Sequence, residues 1–190
     1  MEDIIRIITG CANKEPKYQR IVYERYRGYA CKIVFRYIYR YEKAMDIVTD
    51  GFVKAFTHFN QFKYREEADP ENLLMGWLKR IMINCAIDEL RKTNMLPEIG
   101  GIPESVWDIS SKQDNADQLV FYKELVSLIK ELPPQYRIVF NMYVLDGYTH
   151  AQIADTLEIP VSTSRANLTR AKTYLQNMIT KWEDQKACRI

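Results

Sequence analysis

The stretch Tyr148–Leu175, YTHAQIADTLEIPVSTSRANLTRAKTYL, decides how the rest of the chain is read, because it holds two helical patterns separated by a break. Ala151, Ile153, Ala154 and Leu157 give the first pattern an apolar side. Thr149 is placed to cap its start, and Glu158-Ile159-Pro160 ends it. In the second pattern Ser164, Leu168, Ala171, Leu175, Met178 and Trp182 recur at three- and four-residue steps, so they share one face and are expected to pack. Pro160 suits the first turn of that helix, where its missing N–H is not needed. The other face carries Ser162, Arg165, Ala166, Thr169, Arg170 and Thr173, short hydrogen-bonding groups set between guanidiniums. Such a face suits a helix entering a DNA major groove, but it also suits a solvated surface in an ordinary helical protein. The rest of the sequence has to decide between them.

The chain has 190 residues and a formal net charge of +2, so no general polyelectrolyte character argues for nucleic acid and the distribution of charge matters instead. From Met95 to Asp117 the acids Glu98, Glu104, Asp108, Asp114 and Asp117 face a single base, Lys112. Arg165, Arg170, Lys172 and Lys181 gather near the C-terminus. Cys11, Cys31, Cys85 and Cys188 show no C-x-x-C spacing and read as packing thiols in a reducing compartment. His58 and His150 give zinc no ligand spacing. No apolar run is long enough to span a bilayer, and MEDIIRIITGC lacks the pattern of a signal peptide, so a cytoplasmic location is expected.

Helical periodicity dominates and no hairpin signal appears, which makes the class all-α. A long helix is expected from Tyr18 to Tyr41, with Ile21, Val22, Tyr26, Tyr29, Ile33, Phe35 and Tyr37 among its apolar positions. At that spacing its tyrosines read as half-buried core before they read as stacking platforms. In the next segment, Glu42–Phe62, an apolar stripe of Ala44, Ile47, Val48, Phe52, Ala55, Phe56 and Phe59 lies beside Asp46, Asp50 and Lys54, which repeat every four residues. Paired carboxylates one turn apart are potential metal ligands or acid–base groups, but here they lack a third partner, and an acidic face for a protein partner fits better. Phe62–Asn72 is a polar loop in which Phe62, Lys63, Tyr64 and Arg65 mix aromatic and basic character, and Pro70 marks the next helix start. In that helix Arg80, Asn84, Asp88 and Arg91 form a polar stripe, while Leu74, Leu78, Ile81 and Cys85 lie on another. Met95–Asp117, with its prolines, Gly100-Gly101 and acids, reads as a linker between two helical domains. Helical pattern returns at Leu119 to Leu132, and LPPQYRIVFNMYVLDGY gives a proline-started helix, Pro133–Leu145, closed by Gly147. No phosphate loop, nucleophile elbow or kinase motif is present, so the chain is not expected to be an enzyme or to need a cofactor or metal.

Taken together these pieces resemble the bacterial extracytoplasmic-function sigma factors, members of the sigma-70 family that act as small transcription initiation factors. AMDIVTDGFVKAF resembles the family's acidic and apolar motif, WLKRIMINCAIDELRK its next helix, and LPPQYRIVFNMYVLDGYTHAQIADTLEIPVSTSRANLTRAKTYL its C-terminal domain. The resemblance implies a first domain over residues 1–95, an acidic linker over 96–117 and a helix-turn-helix domain over 118–190. It implies that Asp46, Ile47, Asp50 and Val53 dock on the clamp of core RNA polymerase. Phe62, Lys63, Tyr64 and Arg65, with Arg80, Asn84 and Arg91, would meet the melted minus-ten element. Ser162, Thr163, Arg165, Ala166, Thr169 and Arg170 would meet the minus-thirty-five element as duplex. The linker would run toward the RNA exit path, its acids imitating nucleic acid. Partners so implied are core polymerase, promoter DNA and an anti-sigma protein, with no membrane insertion.

Departures from the family pattern are Gly51 inside a helix, at a cost of about 1 kcal/mol in helix propensity, Asn167 where a basic residue is common, and Ser164 where valine is common. The last two bear on which promoter is read. Near-neutral net charge predicts weak binding to DNA by the chain alone, since duplex affinity comes largely from neutralising phosphates. A stand-alone helix-turn-helix regulator would also explain the C-terminal half, and a helical interaction module the acidic stripe. Neither accounts for both halves and the linker.

Overall fold

A computed structural model of the chain describes residues 4–63, 69–93 and 124–187, with side chains up to residue 181. The described residues fall into two compact helical units, 4–93 and 124–187. The domain boundaries expected near 95 and 118, and the acidic linker between them, lie outside the described residues.

The first unit contains α1 (Ile4–Ala12), α2 (Pro16–Val34), α3 (Tyr41–Thr57), a 3₁₀ turn at Phe59–Gln61 and α4 (Pro70–Lys92). α4 packs against both α2 and α3, burying Leu74, Leu78, Met82, Ile83, Ala86, Ile87 and Leu90 against Val22, Tyr26, Val48, Phe52 and Ala55 of the same core. Tyr18 and Tyr26 of α2 are buried and Tyr29 is half-buried, in keeping with the core reading of the helical tyrosines, and Tyr37 and Tyr39 beyond the helix are buried as well. The helix expected to reach Tyr41 stops at Val34. Tyr37, Ile38 and Tyr39 are all fully buried. The chain leaves the helix before them and folds all three into the core.

The tight corner between α1 and α2 is built by Lys14 at φ 60°, with Glu15 N–H donating to Gly10 O at 2.9 Å and Lys14 N–H to Cys11 O at 3.0 Å. These are the paired bonds of a Schellman ending, and Pro16 then starts α2. Gly10 is needed here for space. A Cβ on it would overlap the Cδ2 edge of the Tyr18 ring, whose hydroxyl accepts from Arg6 Nε at 2.9 Å. Gly10→Ala is therefore expected to destabilise the first unit by about 2 kcal/mol through overpacking. A thermal melt showing no change would mean that Tyr18 swings aside freely. Gly51 is different: a Cβ there would meet Met82 Sδ at 2.5 Å, the end of a flexible side chain. The glycine that looks like a mere helix cost in sequence lets α4 approach α3.

The cysteines behave as packing thiols. Cys11 and Cys31 are fully buried and Cys85 nearly so, and burial, with Glu15 adding to it, pushes the Cys11 thiol up to about 12. Cys188 lies outside the described residues.

The second unit contains α5 (residues 124–130), α6 (Pro134–Phe140) continuing into a π turn at Asn141–Leu145, α7 (His150–Leu157) and α8 (Val161–Ala187). Arg137 Nη1 donates to Lys130 O at 3.1 Å and ties α6 to the end of α5. Its core gathers Val126, Ile129, Ile138, Val139, Met142, Ile153, Leu157, Leu168 and Ala171. Gly147 takes φ +74° where the chain turns from the π segment into α7, a conformation that favours glycine.

Candidate functional site

The second unit presents a helix-turn-helix whose geometry follows from local signals. Thr149 caps α7 in a reciprocal box: Gln152 N–H donates to Thr149 Oγ1 at 3.3 Å, and Thr149 N–H donates to Gln152 Oε1 at 2.9 Å. α7 ends like α1, with Glu158 at φ 56° and Ile159 N–H donating to Ala154 O at 3.0 Å. Pro160 sits just before α8, its carbonyl accepting from Ser164 N–H at 3.1 Å, so it acts one residue earlier than the first-turn position expected.

α8 is held by Ser164, Leu168, Ala171 and Leu175, all buried, the face read from sequence; Met178 is half-buried, and the side chain of Trp182 lies outside the described part. Ser162, Arg165, Ala166, Thr169, Arg170 and Thr173 are exposed on the other side, and Thr163 is half-buried. Thr169 Oγ1 donates to Arg165 O at 3.1 Å. Its hydroxyl hydrogen is spent on its own helix, so what it offers outward is a methyl group and acceptor lone pairs. Asn167 is 7% exposed and therefore supports the helix from inside. Its substitution for a basic residue removes no outward contact in this chain.

In the first unit Asp46, Asp50 and Lys54 are exposed along α3, and Val53 beside them is 59% exposed. Ile47 is only 4% exposed, so it anchors α3 and gives the stripe its backing. Asp50, Val53 and Lys54 share a groove of ≈ 460 Å³ with Asp88 and Arg91 of α4, and Lys54 Nζ lies 3.6 Å from Asp88 Oδ2. The polar stripe of α4 is thus divided. Its C-terminal part, Asp88 and Arg91, lines the groove beside the acidic stripe of α3, while Arg80 and Asn84 are exposed two turns and one turn before Asp88. Sequence periodicity placed these residues on one face and could not show that α3 meets only half of it.

Phe62 is half-buried and packs on Trp77 with ring centroids 5.4 Å apart, and both rings contact the buried Phe59, at 5.7 and 5.2 Å. It therefore moors the start of the loop on α4. Lys63 is exposed, and Tyr64 and Arg65 lie outside the described residues. On the far side Asp69 caps α4 through Glu71 N–H at 3.1 Å. Glu71 in turn accepts two bonds from Arg25 Nη2, at 2.7 and 2.9 Å, and one from Tyr26 at 3.0 Å. Both flanks of the loop are fixed to the helical core.

Two family models match this chain: Sigma-70 region 2 over residues 22–95 and Sigma-70, region 4 over residues 122–175, together well over half of its length. The chain belongs to the sigma-70 family. Region 2 of this sigma factor is the unit carrying the acidic stripe and the Phe59–Phe62–Trp77 cluster, and region 4 is the helix-turn-helix. The ECF RNA polymerase sigma factor SigE of Mycolicibacterium smegmatis is 20% identical over 94% of this chain and 68% of its own length. The ECF RNA polymerase sigma-E factor of Haemophilus influenzae is 22% identical, covering 87% of this chain and 89% of its own. That of Escherichia coli K12 is 24% identical over 82% and 83%. A solved structure of CnrH in complex with the cytosolic domain of CnrY aligns over 94% of this chain and 97% of that one, at 18% identity and a TM-score of 0.49. The sigma factor is a transcription initiation factor of the extracytoplasmic-function group. A stand-alone helix-turn-helix regulator would account for the region 4 match alone, so that alternative is set aside. No helix among the described residues is long and apolar enough to cross a membrane.

Proposed function

We propose that the sigma factor docks on core RNA polymerase through the α3 stripe of Asp46, Asp50 and Val53 and directs it to promoters read by its two units. The boundaries of those units fall at residues 95 and 118, with the acidic linker between them, and the protein works in the cytoplasm alongside polymerase. α8 reads the upstream element as duplex through Ser162, Thr163, Arg165, Ala166, Thr169 and Arg170. The loop starting at Phe62 and Lys63, continuing through Tyr64 and Arg65, meets the melted downstream element together with Arg80 and Asn84. The observation that carries this reading is the division of α8: every strongly hydrogen-bonding outward residue faces away from the buried Ser164–Leu168–Ala171–Leu175 seam. Asp46, Asp50 and the bared Val53 also offer an antagonist protein the means to block polymerase by covering the same stripe.

Run-off transcription by core polymerase plus the full chain, from a pool of randomised promoters, tests the reading directly. Enrichment of two separated sequence blocks supports it, and transcription without any enriched block refutes it. Within an enriched promoter, Arg170→Ala is expected to cost about 1–3 kcal/mol at the upstream block if its guanidinium makes a bidentate base contact. An equal loss on unrelated duplexes would instead make Arg170 a phosphate contact.

A further inference from the structure

The helix-turn-helix contains a histidine that base reading does not use. His150 opens α7, with Nδ1 2.9 Å from Ser164 Oγ in α8 and its ring stacked on Tyr143 of the π turn, centroids 4.5 Å apart at 25°. Ser164 is 0% exposed, so the contact fixes the ring from the inside. A serine hydroxyl both donates and accepts. It can donate to Nδ1 of the neutral ring and accept from Nδ1–H of the imidazolium. The position of His150 is therefore independent of its charge.

Its charge is governed by its neighbours. Arg165 and Lys172 act on it from α8, and the N-terminal end of α7 adds the positive end of a helix dipole. Tyr143 contributes a neutral face from the π turn. Tyr143, His150 and Arg165 line one open concavity of ≈ 590 Å³, closed by Gly147, Tyr148 and Thr149, none of which carries a carboxylate. Loss of hydration, then Arg165 and Lys172, hold the imidazole pKa below the ordinary histidine value. An anion in the concavity reverses the largest electrostatic part of that balance.

We propose that His150 is a proton-dependent contact to a phosphodiester of the upstream promoter element, neutral in the free sigma factor and protonated when a phosphate occupies the concavity it shares with Arg165. The step takes up one proton from solvent and breaks no bond. It rests on the promoter reading of α8 given above. The sign follows from linkage: DNA raises the pKa of His150, so the added affinity is fully present below the free-state pKa and is lost as pH rises through the bound-state pKa.

The test uses the full chain assembled with core polymerase and a duplex carrying the upstream block recovered from the randomised pool, titrated between about pH 5.5 and 8. Wild-type affinity is expected to rise as pH falls, at a slope approaching about tenfold per pH unit inside the window. His150→Gln, which keeps a polar group toward Ser164, should follow a shallower curve that meets the wild type at high pH. Calorimetry in buffers of different ionisation heat should show proton uptake that the variant lacks. His58, the only other histidine in the chain, lies in the other unit, and His58→Gln should retain the wild-type slope. A wild-type slope in His150→Gln overturns the proposal, as does a loss of the same size at every pH, which would mark a purely structural role. Arg170→Ala in the same assay separates the two ideas. A pH-independent loss there, with the His150 result negative, leaves the promoter reading standing, whereas the absence of any recovered block removes that reading and this proposal together.

Discussion

Asp50→Arg is expected to lower the affinity of the sigma factor for core RNA polymerase about a hundredfold, on the order of 3 kcal/mol, with the fold unchanged. Asp50 is exposed on α3, at the mouth of the groove that also holds Lys54, Asp88 and Arg91. An acidic stripe selects a partner surface of positive charge. Reversing its central carboxylate replaces an attraction with a repulsion and adds a cation next to Lys54 and Arg91. The effect on stability should stay within about 0.5 kcal/mol, because the side chain is solvated and no buried partner is lost. A fluorescence titration against core polymerase, with circular dichroism and a thermal melt as controls, reads both quantities. Unchanged affinity in a folded protein would remove the α3 stripe from the polymerase interface. A small loss in Asp50→Asn beside a large one in Asp50→Arg would show that repulsion dominates the effect.

What could be read from sequence was what is local. The α7–α8 corner was legible because its cap, its break and the seam from Ser164 to Leu175 all lie within a few turns of one another. α4 was legible for the same reason, with Pro70 at its start and its polar stripe at steps of four, four and three. The end of α2 was not, since nothing in YIYRY says that Tyr37, Ile38 and Tyr39 will all be enclosed; that depends on what packs around them. Gly51 reads as a flaw in a helix until Met82, thirty-one residues later, is seen against it. His150 and Ser164 are fourteen residues apart on different helices, and no periodicity joins them. The division of the α4 stripe between the α3 groove and the free surface is likewise a property of packing. Residue types and spacing yielded the candidate positions, while packing places Ile47 and Asn167 among the buried residues.

Trp77→Ala is expected to destabilise region 2 by about 3 kcal/mol and to uncouple promoter melting from promoter binding. Truncating a well-packed tryptophan costs roughly 3–5 kcal/mol through lost burial and the cavity left behind, and the partial exposure of Trp77 argues for the lower end. Its ring meets Phe59 edge-on at 5.2 Å and Phe62 at 5.4 Å. Removing it takes away the support that Phe62 has on α4, while the other flank, Asp69 with Glu71 held by Arg25 and Tyr26, is untouched. On the proposed reading Lys63, Tyr64 and Arg65 are presented to an unpaired base, and both flanks are needed because ordering them afresh in each complex costs about 1–2 kcal/mol per residue. Under the same proposal duplex recognition lies with α8 in the other unit and should persist. Upstream-block affinity of the assembled polymerase therefore stays close to wild type, while fluorescence from a base analogue in the downstream block fails to rise. Trp77→Phe, which keeps an aromatic ring against Phe59, should restore most of the signal. Equal loss of binding and melting in Trp77→Ala would mean that region 2 had simply unfolded, and a normal melting signal would show that Phe62 needs no support from α4.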